Sequence, residues 1–179
     1  DGLPFKLCTT IINQHTCNPV SNAMVYVWLA NAYGQYSGYE NATGPDYPED
    51  PISDTRYLRG YQITDSDGAV CFNMIYPGWY AGRTTHIHVE VYTNEKFAFV
   101  GQFFIYDKIS DFVYNNYCPY NTRENSERMK NADDRWFRKA AETSLLDIEP
   151  TLHGYFSEIK LAIDPNHESD QKWPKNTVF

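Results

Sequence analysis

At 179 residues and 42% hydrophobic, the chain suits one globular domain over residues 1–179 with a sizeable core, and it is too short for two comparable domains. No stretch approaches the roughly 20 consecutive apolar residues of a membrane span, so a membrane partner is not expected. A formal net charge of -8 at pH 7 with no basic run excludes a nucleic-acid backbone as the expected partner.

Taken in chain order, short apolar runs with β-branched or aromatic residues predict strands at residues 5–12, 23–30, 60–64, 69–74, 85–92, 97–106 and 155–163. Turn signals separate them: Asn18-Pro19, Gly44-Pro45, Asp67-Gly68, Pro77-Gly78 and Thr93-Asn94. Asp65-Ser66-Asp67-Gly68 predicts a hairpin through a tight primed turn, because Asp-Gly accommodates positive φ. Residues 36–57 form a long segment with three prolines, which reads as an ordered excursion near a site. Helix is expected mainly over residues 125–146, rich in Glu, Arg, Lys and Ala, with a shorter helix near residues 107–114. The predicted fold class is therefore mainly β, an antiparallel β-sandwich with one or two short helices and long loops.

Cys8, Cys17, Cys71 and Cys118 contain no C-x-x-C pair, which argues against a zinc ribbon or a thioredoxin-like motif. Two disulfides in any of three connectivities are the plainer reading, and free buried thiols are the alternative. Asn41-Ala42-Thr43 is a glycosylation sequon in a polar stretch. Aromatic content is high at 16%, with 15 tyrosines, so a tyrosine needs support from its neighbours before it is assigned to a metal.

That support surrounds Thr84-Thr85-His86-Ile87-His88-Val89-Glu90-Val91. Strand alternation sends His86, His88 and Glu90 to one face and Ile87, Val89 and Val91 to the other. Side chains at i and i+2 on one face stand about 7 Å apart, a spread that two ligands of one metal can use. Just upstream, Tyr76-Pro77-Gly78-Trp79-Tyr80-Ala81-Gly82-Arg83 adds a phenol and a guanidinium on a turn entering that strand. Phenolate is a hard anionic donor that suits Fe(III) better than zinc or copper. Glu90 shares the histidine face and either orients an imidazole or is a solvated strand charge. His15, His153 and His167 have no such context and are expected at the surface.

With these residues in view, the chain resembles the intradiol ring-cleavage dioxygenases, the family of catechol and protocatechuate dioxygenases. The resemblance is carried by Trp28-Leu29-Ala30-Asn31-Ala32-Tyr33-Gly34-Gln35-Tyr36-Ser37, by Arg59-Gly60-Tyr61-Gln62-Ile63-Thr64-Asp65-Ser66-Asp67-Gly68, by Pro77-Gly78-Trp79-Tyr80 and by Arg83-Thr84-Thr85-His86-Ile87-His88-Val89. It implies a sandwich of intradiol dioxygenase and transthyretin-like topology, with Fe(III) as cofactor and Tyr36, Tyr80, His86 and His88 as its ligands. It also implies Arg83 and Gln102 as active-site residues, and Tyr80 as the ligand that leaves to act as base. The implied reaction opens a catechol ring between its two hydroxyl carbons with both atoms of O2, giving a muconate-type diacid. Tyr39 competes with Tyr36, but the G-x-Y-S frame selects Tyr36.

The chain departs from the family pattern in places. Only five residues separate Tyr80 from His86, fewer than in the catechol and protocatechuate enzymes, which predicts a more open site. Leu29 stands where a polar residue is common. Strand pattern begins near Phe5 without a helical dimerisation extension, so a monomer is expected, and Asp1-Gly2 is no leader, so any signal peptide is expected to be gone. With the cysteines and the sequon, this most resembles the short secreted forms of fungi and plant-feeding mites, a resemblance that implies a broad range of plant catechols. A transthyretin-like small-molecule carrier and a catalytically inactive iron-binding relative are the competing readings; the tyrosine pair with H-x-H argues against the first, and intact Arg83 and Gln102 against the second.

Overall fold

The computed structural model describes residues 1–39, 53–93 and 96–168. Among these residues eight strands build two four-stranded sheets: β1 (Pro4–Asn13), β2 (Met24–Trp28), β3 (Arg59–Ile63), β4 (Ala69–Ile75), β5 (His86–Thr93), β6 (Lys96–Phe104), β7 (Ile148–Pro150) and β8 (Tyr155–Ile163). One sheet has the order β4-β1-β8-β7 and the other β3-β2-β5-β6. Alternation along each strand turns one face inward. Phe5, Leu7, Ile11, Val70, Phe72 and Ile163 from the first sheet meet Val25, Val27, Ile87, Val89, Val91 and Phe103 from the second. Burying these side chains supplies the main driving force for closing the sandwich.

The architecture differs from the expectation in several respects. The sandwich is not wholly antiparallel, because β1 and β8 pair in parallel from Phe5↔Tyr155 to Asn13↔Ile163; a chain end returning beside the first strand can run in either direction. The Asp65–Gly68 segment makes a turn, with the Gly68 amide donating to the Asp65 carbonyl at 3.1 Å. Yet it joins β3 of one sheet to β4 of the other, so it turns a corner of the sandwich instead of closing a hairpin. Its left-handed residue is Gly68 at φ 74, with no positive φ at Ser66 or Asp67, so the turn is not a primed one. Asp65 Oδ1 closes it by accepting from the amides of Asp67 and Ala69, both at 2.9 Å.

The longer predicted helix is broken. Within residues 125–146 there are 3-10 turns at Asn131–Asp133 and Glu142–Ser144 and one short helix, α2 (Arg135–Ala140). Among the described residues the longest helix is α1 (Asp107–Asn116), where the shorter one was expected. Composition favoured helix over 125–146, but tertiary partners outweigh propensity. Arg128 turns inward to Asp107 and Asp111 at 2.9 and 2.8 Å, and Asn131 Nδ2 donates to the Ile105 carbonyl at 3.0 Å. Ala141 then stops α2 at φ 58. Strand β7 carried no sequence signal.

The cysteines also differ from the plainer reading. Cys8 and Cys71 sit opposite one another in the β1–β4 ladder and form a disulfide. Cys17 and Cys118 are free and exposed, so there is one bridge and the remaining thiols are not buried. The Asn41 sequon and the Gly44-Pro45 turn lie outside the described residues. Among the described residues, no helix is long and apolar enough to cross a membrane.

Candidate metal centre

The outward face of the β3-β2-β5-β6 sheet carries the site. Its centre is β5, where Ile87 and Val89 enter the core and His86, His88 and Glu90 take the opposite face, as strand alternation predicts. That face is covered by an aromatic layer of Tyr26, Trp28 and Tyr36, with Tyr39 and Tyr80 packed against it, so both imidazoles are buried. The register Trp28↔His88 sets the two rings stacked at 4.4 Å and 5°.

Tyr36 comes from a loop that Asn31 organises. The Asn31 side chain accepts from the amides of Tyr33 at 2.9 Å and Gln35 at 3.0 Å, and its carbonyl accepts from Gly34 and Gly78. Gly34 adopts φ 80, and a Cβ on it would overlap the Trp79 carbonyl oxygen. A Cβ on Gly78 would overlap the Asn31 carbonyl. Backbone therefore meets backbone at both glycines, and this contact brings the Tyr36 and Tyr80 rings to 5.5 Å, edge to face. Arg59 secures the far side of the loop, donating through Nε to Ser37 Oγ at 2.8 Å and through Nη2 to the Ser37 carbonyl at 3.2 Å.

Four donor atoms converge. Tyr36 Oη lies 3.2 Å from His86 Nε2 and 3.1 Å from His88 Nε2. Tyr80 Oη lies 3.4 Å from His86 Nε2, and the two Nε2 atoms are 3.1 Å apart. His86 Nδ1 donates to the Thr84 carbonyl at 2.7 Å, which fixes the tautomer with its lone pair on Nε2. Burial, reinforced by the Arg83 charge, lowers His86 to about 3. Burial, then the neighbouring His86 and Arg83, lowers His88 as well. His86 thus aims a lone pair at His88 Nε2 and at two phenol oxygens, and the four atoms face one another at 3.1–3.4 Å, a cluster that a cation can draw together. Metal bonds of about 2.0–2.2 Å place adjacent ligands about 3 Å apart, which is the observed spacing. Among the described residues no group of three His, Cys, Asp or Glu could hold a metal, so a site here depends on the phenols. Two hard phenol oxygens with two imidazoles fit trivalent iron.

Tyr80 is the looser phenol, half-buried where Tyr36 is buried. Burial pushes its hydroxyl up, while the Arg83 charge and hydrogen bonds with Tyr36 and Arg83 pull it down. Arg83 Nη2 donates to Gln102 Oε1, and Gln102 pairs with His88 across the β5–β6 ladder. All six predicted site residues are thereby brought together. Tyr39 is tied to Tyr36 by a turn, its amide donating to the Tyr36 carbonyl at 3.0 Å; the oxygen between the imidazoles is that of Tyr36. Glu90 is neither of the two things expected of it: it is buried, and its carboxylate accepts from Tyr92 Oη at 2.9 Å. Leu29 points into the core, and His15, His153 and His167 are exposed.

Sequence reasoning missed Asp134. Its Oδ2 accepts from Arg83 Nε at 2.8 Å and from the Thr84 amide at 3.0 Å, while its Oδ1 caps α2 by accepting from Trp136 and Phe137. The available signal was an Asp just before a short helix-forming run, which announces a cap and nothing about the site.

A β-sandwich with two phenols and two imidazoles converging on one sheet face outlines a mononuclear metal centre. No protein-family model and no curated protein matches the chain. Solved structures do. The chain is similar to an intradiol ring-cleavage dioxygenase from Tetranychus urticae, at 32% identity and TM-score 0.89 over 97% of this chain and 86% of that one. A second dioxygenase is 33% identical at the same TM-score and coverage. Catechol 1,2-dioxygenase from Acinetobacter sp. ADP1, at 19% identity and TM-score 0.63 over 96% of this chain and 58% of that one, shares the fold. This chain belongs to the intradiol ring-cleavage dioxygenases and is an enzyme of that oxidoreductase class.

Proposed function

We propose that the chain holds Fe(III) through Tyr36, Tyr80, His86 and His88 and cleaves catechol-type rings between their hydroxyl carbons, inserting both atoms of O2. The observation that carries this reading is the convergence of Tyr36 Oη with both Nε2 atoms at 3.1–3.2 Å. When bound, such an ion would supply Lewis acidity toward the hydroxyl oxygens of a catechol and would make its ring more reactive toward O2.

The protein's residues divide the remaining work. Tyr36, His86 and His88, all buried, are the fixed ligands. Tyr80, half-buried and longest in its contact to His86, would be the looser ligand, and its Oη would take a catechol proton as general base. The Arg83 guanidinium, beside Tyr80, stabilises negative charge on the substrate as the ring opens. Gln102, bound to Arg83, orients the substrate from β6. Ala81 and Gly82, exposed on the short turn before β5, support an open mouth that admits substituted plant catechols.

Iron-loaded protein should be wine-red from tyrosinate-to-iron charge transfer and should consume oxygen with catechol, protocatechuate or caffeate. A colourless iron-loaded sample overturns the ligand set. We also propose an extracellular setting, supported by the Cys8–Cys71 disulfide; recovery of the chain only from the reducing interior of its source cells would contradict this.

A further inference from the structure

We propose that Asp134 is a positioning residue for the reaction, holding the Arg83 guanidinium between Gln102 and Tyr80. The inference rests on the reading of the site as a ring-cleaving centre. Asp134 lies 51 positions from Arg83 and outside every motif that carries the family resemblance.

Its two oxygens have separate tasks. Oδ1 accepts from the amides of Trp136 and Phe137 at 2.7 and 3.0 Å, which completes the N-cap of α2. A serine, threonine or asparagine would serve that purpose about as well. The cap is also for a helix of only six residues, none of them fully buried. Capping therefore does not account for a carboxylate with 0% side-chain exposure. Oδ2 does account for it: it accepts only from the site, from Arg83 Nε at 2.8 Å and the Thr84 amide at 3.0 Å.

The consequences reach three functional groups. Arg83, 13% exposed, would otherwise be a long side chain free to swing toward solvent. Fixed at Nε, it is left with Nη2 on Gln102 and with its charge and hydrogen bond on the Tyr80 phenol. Thr84 is held by its amide on Asp134 and by its Oγ1 on Asn131 at 2.6 Å, while its carbonyl accepts from His86 Nδ1. One carboxylate thus ties the start of α2 to the arginine and to the glutamine through it, while Thr84, whose carbonyl orients His86, keeps its second hold on Asn131.

The test uses iron-loaded full chain and the variants Asp134→Asn, Asp134→Ser, Arg83→Ala and Asp134→Asn with Arg83→Ala. Asparagine keeps a capping oxygen, but whichever way its amide turns, an NH2 group faces N–H donors. Oxygen uptake with catechol should show kcat lowered about 10–100-fold in Asp134→Asn and Asp134→Ser. KM, iron content and the resting charge-transfer band should hold. In the Arg83→Ala background, Asp134→Asn should add little further loss, because its effect acts through the arginine. Wild-type kcat in either folded variant, or a loss fully multiplicative with Arg83→Ala, overturns the proposal. Failure of both single variants to fold, or a loss that merely follows iron content, assigns Asp134 to the α2 cap alone and also overturns it. An inactive wild-type enzyme would sink the proposed function itself, a result distinguishable from every one of these.

Discussion

Gly34 and Trp79 touch backbone to backbone: the glycine, at φ 80, leaves no room for a Cβ against the Trp79 carbonyl oxygen. The contact ties the loop bearing Tyr36 to the turn bearing Tyr80. Gly34→Ala combines a steric overlap with a left-handed conformation, so it should destabilise the fold by about 2–4 kcal/mol. It should also loosen iron binding. Gly60, where a Cβ meets nothing within 4 Å, is the control, and Gly60→Ala should change stability by less than about 1 kcal/mol. Thermal melts of the two variants, with iron content, check the contrast; equal melts would mean the two loops are not clamped there.

Removing one phenol oxygen at a time should separate the tyrosines. Tyr36→Phe keeps the ring in its aromatic layer, so stability should fall by only about 1 kcal/mol. Turnover should nevertheless drop at least about 100-fold, with weakened red absorbance. Tyr80→Phe should also impair turnover while retaining more iron, because its oxygen is the more loosely placed. Oxygen uptake and iron per chain provide the measurements, and undiminished activity in Tyr36→Phe would move the assignment to Tyr39.

Acid should weaken the fold partly through Asp134. Burial opposes ionisation of its carboxyl, but the hydrogen bonds from Arg83 and the Thr84 amide and the Arg83 charge hold it below the usual carboxylate range. The unfolded chain, with a carboxyl near its ordinary value of about 3.9, then binds more protons than the native one. This contribution is complete above about pH 4 and is lost as pH falls through the depressed native value. Melting temperature measured from pH 6 to pH 2 should fall more steeply for wild type than for Asp134→Ser. Asp111, also depressed but half-exposed, should add a smaller slope that both proteins share.

Thiol chemistry should divide the cysteines two and two. Under native, non-reducing conditions an alkylating reagent should label Cys17 and Cys118, which are exposed, and leave Cys8 and Cys71 unmodified. Mass spectrometry of the digest reads this directly. Opening the bridge, whose partners are 63 residues apart, should cost about 2–4 kcal/mol by releasing unfolded-chain entropy. An unchanged melt after reduction would show that the β1–β4 ladder holds without it.

The features legible in the sequence are those fixed by local backbone geometry. Period-two alternation through residues 86–91 is enough to put His86 and His88 together on one face and Ile87 and Val89 on the other, because the strand period is two wherever the strand sits. The strand runs and the G-x-Y-S frame around Tyr36 are local in the same sense. Tertiary structure decided the rest. The direction of β8 beside β1, the corner turned at Asp65–Gly68 and the breaks between Arg128 and Ala141 all depend on partners distant along the chain. So does the choice of Cys71 for Cys8, which follows from the β1–β4 register. The metal centre itself divides this way. A strand by itself presents two histidines, but Tyr36, 50 positions from His86, and Asp134, 51 from Arg83, join them only because loops dock and α2 is capped. No local periodicity encodes which distant segments will meet. That is settled by which of them can bury their faces and satisfy their polar groups together.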